Sequence, residues 1–375
     1  MIYFDNASTN KVEEKVLEIY NKYTLQYYAN PSSPHTYAKE CERIYLLAKE
    51  QILKSLNLHD YDIVFTSGAT EANNLALLGY ARRNKANGNH IITTKIEHAS
   101  ILNTCEELEK EGFVITYLNV DKNGKVDLNE LKESINDKTI LVSIMSVNNE
   151  IGSTNDIKKI KNILKSYPKI VFHSDAAQSL GKINIDYNNI DMFTISAHKI
   201  GGLKSIGALV FKKNIKLLPV IFGGNQQEGL RSGTMDLSLA VSFAVAVKLA
   251  INDLNTHYKQ VDKLNKMLRN YLNNHKDEYE INSPDDALAY ILNFSLKNKK
   301  ASVVVEALAR EDIMVSSVSA CSSKKEPFSY VIKALNKDDS LAKNTIRISF
   351  SYLNNEDEIN EFINKLETIV GGVKG

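Results

Sequence analysis

The sequence predicts an α/β protein in which a mostly parallel seven-stranded sheet, covered by helices, is followed by a smaller α+β unit. Three observations lead there. Between residues 60 and 215, short β-branched runs alternate with helical stretches, the pattern of parallel strands joined by helical crossovers. Most of these runs are apolar almost throughout rather than at every second position, as in strands buried on both faces. Past residue 251 the pattern changes to a few strands and amphipathic helices, with no Pro-rich or Gly/Ser linker between.

In chain order, the expected strands of the large sheet cover 62–66, 90–94, 114–119, 140–146, 170–174, 192–196 and 206–211. Helical patterns at 37–56 and 100–111 contain Cys41 and Cys105, which read as packing or surface positions of helices. Residues 237–251 are apolar but interrupted by Ser242 and Lys248, so they read as a buried helix; a membrane span needs about 20 apolar residues. The charged stretch 252–280 reads as a solvent-facing connecting helix. A strand at 289–296, a helix at 302–310, a strand at 345–351 and a final amphipathic helix at 355–370 complete the chain. The expected division is a large domain over 14–254 and a small domain built from 1–13 and 255–375.

A length of 375 residues suits one large domain with a companion, and 43% hydrophobic with 24% charged residues excludes a disordered or collagen-like chain. Lys and Arg number 46 against 45 Asp and Glu, so no global positive field is available for nucleic acid. Neither nucleic acid nor membrane is expected as a direct partner. The start MIYFDNASTN lacks the basic and apolar regions of a secretion signal. Only Cys41, Cys105 and Cys321 are present, an odd count without disulfide or zinc spacing, which points to a reducing cytoplasm and no metal centre.

Ligands of such sheets sit beyond the carboxyl ends of the strands, so residues there carry the candidate chemistry. Ser67-Gly68-Ala69-Thr70-Glu71 follows the first strand and opens a helix, offering free backbone N–H groups to a phosphate, or merely a helix cap. It is neither a nucleotide P-loop nor a Gly-x-Gly-x-x-Gly dinucleotide turn. Asp175 and Gln178 follow one strand, and Ser196-Ala197-His198-Lys199 ends another. A lysine there can form a Schiff base, and an acid can keep a pyridinium nitrogen protonated. Together with the phosphate turn, they point to pyridoxal phosphate.

Eight segments in order carry a family resemblance: Ile2-Tyr3-Phe4-Asp5-Asn6-Ala7, Ser67-Gly68-Ala69-Thr70-Glu71, Glu97-His98, Val147-Asn148-Asn149-Glu150-Ile151-Gly152, Asp175-Ala176-Ala177-Gln178-Ser179, His198-Lys199, Arg231-Ser232-Gly233-Thr234 and Ser319-Ala320-Cys321. The chain resembles the cysteine desulfurases of the NifS/IscS type, in the class V aminotransferase group. The resemblance implies fold type I of the pyridoxal 5'-phosphate enzymes and a homodimer with its active sites at the subunit interface. Lys199 is then the Schiff-base lysine and Asp175 the partner of the pyridine nitrogen. His98 stacks on the ring and handles protons, and Gln178 bonds the phenolic oxygen. Ala69, Thr70, Ser196 and His198 hold the phosphate, with Thr234 reaching in from the other subunit. Arg347, with Asn149 beside it, clamps the substrate carboxylate. Cys321, in a small polar stretch expected to be mobile, attacks the sulfur of L-cysteine to give a persulfide and L-alanine.

The sequence departs from the family pattern at several positions. Ala197 replaces a glycine, Leu203 and Ser205 stand for Pro and Gly, Val318 replaces a loop glycine, and Gln227-Glu228 stands where Glu-Arg is usual. These departures bear on loop docking and dimer contacts. With no tail past Gly375, a tRNA-thiolating enzyme is as suitable a sulfur acceptor as an iron–sulfur scaffold. The alternatives are a selenocysteine lyase or another class V aminotransferase-like enzyme, and a non-catalytic relative.

Overall fold

A computed structural model describes residues 1–317 and 328–372. Strand β1 (Ile2–Tyr3) is followed by the seven strands of the large sheet: β2 (Tyr61–Thr66), β3 (His90–Thr94), β4 (Val114–Leu118), β5 (Thr139–Ser143), β6 (Val171–Asp175), β7 (Met192–Ser196) and β8 (Gly207–Lys212). Their order is β2-β8-β7-β6-β5-β3-β4. Only β8 runs against its neighbours; every other adjacent pair is parallel. The carboxyl ends of β2, β3, β5, β6 and β7 therefore open on one edge, where the expected site residues lie. As the continuous apolar runs require, all positions of β3, β5 and β7 are buried, whereas Val114 of the edge strand β4 is exposed.

The expected strand limits agree closely with those observed, except that β5 stops at Ser143 rather than at 146. Beyond it, the Met145 amide leaves the ladder and donates to the buried Glu97 carboxyl at 2.8 Å. Helix Leu237–Asn252 is buried as expected, against helices Glu14–Gln26 and Thr36–Ser55. No single helix among the described residues is long and apolar enough to cross a membrane.

The second unit has β9 (Tyr279–Ile281), β10 (Ile291–Leu296), β11 (Ile313–Met314), β12 (Ser316–Ser317) and β13 (Thr345–Ser349). An antiparallel sheet has the order β12-β13-β10-β9, and β1 pairs in parallel with β11. Helix Leu254–Asn274 does more than connect. Val261, Leu264, Leu268 and Leu272, at helical spacing, are buried in the same apolar cluster as β10 and β13, and its charged residues cover the outer side.

The N-terminus belongs to that cluster too. Phe4 is fully buried and meets Phe350 and Phe362 edge to face, at centroid distances of 5.8 and 5.7 Å. Its N–H donates to the Met314 carbonyl and its carbonyl accepts from Ser349 N–H. From this anchor, residues 5–13 run across to the large sheet. Phe4→Ala is expected to cost about 3–5 kcal/mol through lost burial and the cavity left behind; urea denaturation of variant and wild type measures the loss.

Candidate active site

The turn after β2 sits low on the sheet because two glycines leave room. A Cβ on Gly207 would lie 2.8 Å from the Cα and carbonyl carbon of Gly68, so only glycine lets the turn settle there. Gly68 itself has φ 152°, and a Cβ on it would meet nothing within 4 Å, leaving open space above the turn. Helix Ala69–Asn74 starts there and continues through a π-turn, Leu75–Gly79, into Tyr80–Asn84. The Ser67 amide donates to Glu71 Oε2 at 2.8 Å, and Glu71 Oε1 accepts from Arg231 Nε at 2.9 Å. Burial raises the Glu71 carboxyl, but these donors outweigh it and hold the carboxyl below its ordinary value.

Ala69, Thr70, His98, Asn149, Asp175, Gln178, His198, Lys199 and Arg347 line one open cleft of about 1380 Å³ over the carboxyl edge of the sheet. Ser196, at the end of β7, lies buried beneath it, its Oγ without a partner. Thr234 is exposed and outside the cleft lining. Cys321 and Val318 lie outside the described residues. Cys41 and Cys105 are buried in helices, and burial raises the Cys105 thiol far above its usual value, so neither is a nucleophile.

Asp175 is held at both oxygens: Oδ1 accepts from Ala177 N–H at 2.9 Å and Oδ2 from Asn73 Nδ2 at 2.8 Å. Asn73 also donates to Ser100 Oγ at 2.8 Å, and Ser100 Oγ lies 2.8 Å from His98 Nδ1. His98 is the N-cap of helix Ala99–Lys110, its Nδ1 accepting from Ser100 N–H at 3.1 Å. Burial lowers its pKa; Asp175 raises it and Lys199 adds to the lowering.

Lys199 ends the short 3₁₀ turn Ala197–Lys199, and its Nζ donates to the Ala7 and Ser8 carbonyls at 2.6 Å each. The crossing segment also holds the turn's backbone: Asn10 N–H donates to the His198 carbonyl at 2.8 Å and Asn10 Nδ2 to the Lys199 carbonyl at 3.1 Å. Gln178 Nε2 donates to the Ala7 carbonyl at 2.9 Å, and its Oε1 accepts from the buried Lys182 at 3.1 Å. Burial, reinforced by Lys199 and Arg347, pushes Lys182 down to about 7. His198 is pushed down to about 4 by burial and by Lys199, Lys182 and Lys204, so it is neutral.

Arg347 stands on β13, an interior strand, with its side chain 7% exposed. Its guanidinium donates to Asp5 Oδ1 at 2.9 Å, Ser8 Oγ at 2.8 Å and the Asn149 carbonyl at 2.9 Å. Arg347 Nε and Asn149 Oδ1 are buried without partners. The cleft thus joins a lysine, an arginine fork, open turn amides and one fixed carboxylate. That donor set, with orphaned polar atoms at Ser196, Asn149 and Arg347, fits a phosphorylated pyridine aldehyde and a substrate carboxylate.

Two departures from the family pattern have structural explanations. Ser205, where a glycine is usual, has φ 64°, so the left-handed backbone is kept without the glycine. Gln227, with φ 51°, turns its side-chain amide onto β2, accepting from Phe65 N–H at 2.8 Å and donating to the Phe65 carbonyl at 2.9 Å. Glu228 then lies 3.7 Å from Lys49, which also meets Asp62 at 3.3 Å. Asn73, Ser100, Lys182, Asp5 and the Ala7 and Ser8 carbonyls are site groups missed in the sequence. Asp5 and Ala7 lie in the first quoted segment, which was the available signal for them.

A model of the family described as aminotransferase class-V matches residues 2–362. The chain is 40% identical to the cysteine desulfurase IscS of Colwellia psychrerythraea, over 100% of this chain and 93% of that one. It is 39% identical to the NifS/IcsS protein homolog of Lactobacillus delbrueckii subsp. bulgaricus, over 98% of this chain and 97% of that one. A solved NifS-like protein superposes with a TM-score of 0.92 at 33% identity, covering 99% of this chain and 100% of that one.

Two buried acids flank the cleft. Glu97 Oε1 accepts from Met145 N–H and from Thr94 Oγ1, while Oε2 has no partner. Burial, with Asp175 adding, pushes Glu97 up to about 8. Glu150, which accepts from Ser329 Oγ, is pushed up to about 7 by burial. Folded Glu97 keeps its proton up to about pH 8, whereas the unfolded chain releases it near 4.5. The native state therefore binds more protons across this window, and stability falls as pH rises through it. Glu97→Gln is expected to keep both accepted bonds and remove this decline. Urea midpoints at about pH 5 and pH 8 measure it; the same pH dependence in both proteins would show that Glu97 is ionised when folded.

Proposed function

This chain belongs to the class V aminotransferase family, and within it to the NifS/IscS-like cysteine desulfurases; on that premise we propose that it converts L-cysteine to L-alanine and passes the sulfur to Cys321 as a persulfide. The observation that carries the reading is the convergence of Lys199, Asp175, His98 and Arg347 on one cleft. We assign pyridoxal 5'-phosphate to that cleft. Its phosphate is assigned to Ala69 and Thr70 of the turn with Ser196 and His198, its ring nitrogen to Asp175, its ring face to His98 and its phenolic oxygen to Gln178, with Asn149 alongside. When bound, the cofactor supplies an electron sink for charge left on the substrate's Cα.

The chain's own groups do the rest. The Arg347 fork takes the substrate carboxylate, which displaces Asp5 from the guanidinium. Lys199, as the neutral amine, takes the Cα proton. The Cys321 thiolate attacks the substrate sulfur: an S–S bond forms, the C–S bond breaks, and its electron pair stays with the carbon skeleton, which gains protons and leaves as L-alanine. A reducing cytoplasm keeps Cys321 a thiol between turnovers.

A homodimer is part of this reading. Leu25, Tyr28 and Phe222 are apolar side chains at least 79% exposed, surface that a second subunit would cover. Thr234, outside its own chain's cleft, is then free to serve the partner's phosphate. The sulfur acceptor is an iron–sulfur scaffold or a tRNA-thiolating enzyme.

Intact-mass analysis after L-cysteine is added without reductant is expected to show one added sulfur, mapped to Cys321. Cys321→Ala is expected to lose that gain together with most alanine formation; full turnover by this variant would favour a lyase that does not use the thiol. Replacing the bidentate fork, Arg347→Lys is expected to raise KM for cysteine about tenfold or more with a smaller change in kcat. Initial rates across cysteine concentration separate the two constants.

A further inference from the structure

Asn73 is fully buried, two residues before the π-turn Leu75–Gly79, a departure from α-helix that recurs at functional sites. It belongs to none of the groups assigned to cofactor or substrate above. Both protons of its single amide nitrogen are used, one on Asp175 Oδ2 and one on Ser100 Oγ, each at 2.8 Å. Its Oδ1 has no partner. The orientation is fixed by charge, because the opposite rotamer would aim Oδ1 at the Asp175 carboxylate.

The second branch has a direction. A main-chain N–H can only donate, so the Ser100 amide 3.1 Å from His98 Nδ1 excludes a proton on that nitrogen. Ser100 Oγ, receiving from Asn73, points its own proton at the same nitrogen, 2.8 Å away. The proton of the neutral ring is therefore on Nε2. We propose that Asn73 is a positioning residue for the reaction: one amide fixes the carboxylate of Asp175 and, through Ser100, holds His98 as the neutral Nε2–H imidazole, a hydrogen-bond donor rather than a base. This rests on the cysteine desulfurase reading, and it narrows the role of His98, leaving proton abstraction to Lys199. The charged groups bearing on His98 act in opposite directions, Asp175 favouring the imidazolium and Lys199 opposing it.

The test uses holoenzyme labelled with ¹⁵N-histidine, reading the His98 ring nitrogens by NMR and the bound-cofactor absorbance across pH. His98→Gln identifies the resonances. Wild type is expected to show Nε2–H with a bare Nδ1. Ser100→Ala removes one donor to Nδ1 and is expected to raise the His98 midpoint, with only a small change in the cofactor absorbance titration because the bond from Asn73 to Asp175 is kept. Asn73→Leu takes away the donor that orients the Ser100 hydroxyl and strips a donor from Asp175, so it is expected to raise the His98 midpoint further, by about one pH unit, and to shift the absorbance titration more than Ser100→Ala does. Ser100→Thr, which keeps the hydroxyl, is expected to restore wild-type behaviour. A proton on Nδ1 in wild type, or a His98 midpoint that Ser100→Ala leaves in place, would overturn the proposal. Should Asn73→Leu fail to fold, the Ser100→Ala shift decides. Alanine formation by wild type is measured in parallel: its absence counts against the proposed activity, while the ring-nitrogen shifts still judge the histidine.

Discussion

The contact on which the site depends is the ammonium of Lys199 resting on the carbonyls of Ala7 and Ser8. Those carbonyls belong to a turn whose anchor, Phe4, is buried in the second unit's core. The lysine belongs to the large sheet. Neither half carries a complete site: the sheet supplies Lys199, Asp175 and the turn after β2, and the second unit supplies Arg347 and the segment that holds the lysine. Main-chain carbonyls suit this task. They accept a proton-rich amine firmly, yet bear no net charge to oppose its release.

Electrostatics in the cleft are set by burial as much as by pairing. Lys199 and Arg347 stand close enough to Lys182 to depress it, while Asp5 is the carboxylate that answers Arg347. Glu97 and Glu150, which would cancel the positive charge if ionised, are pushed toward neutrality by the same desolvation. The cleft is thus preorganised for anions, and the low dielectric that neutralises the two acids also strengthens every remaining donor.

The sheet was legible because its strands are buried on both faces, so apolarity runs unbroken along them. Most of the candidate site was legible for a related reason, since residues that end strands of one parallel sheet are gathered by topology. Three things were not legible. The two-residue strands β1, β11 and β12 have no period to detect. Helix Leu254–Asn274 shows its apolar stripe only when the charged residues between Val261, Leu264 and Leu268 are set aside. Asn73, Ser100 and Lys182 act through other side chains, and an asparagine, serine or lysine in a helix or turn looks the same whether it faces water or a buried polar group.

Gln227 bears on how copies of the chain meet one another. β2 is an edge of the large sheet, with a main-chain N–H and C=O at Phe65 turned outward. An open edge of that kind invites another chain's strand and, with it, fibrous association. Here the Gln227 side-chain amide occupies both groups, as a neighbouring peptide would. The left-handed kink that brings it there keeps the rest of its own backbone from extending the ladder. The sheet is therefore capped against self-templating at this point by a single residue.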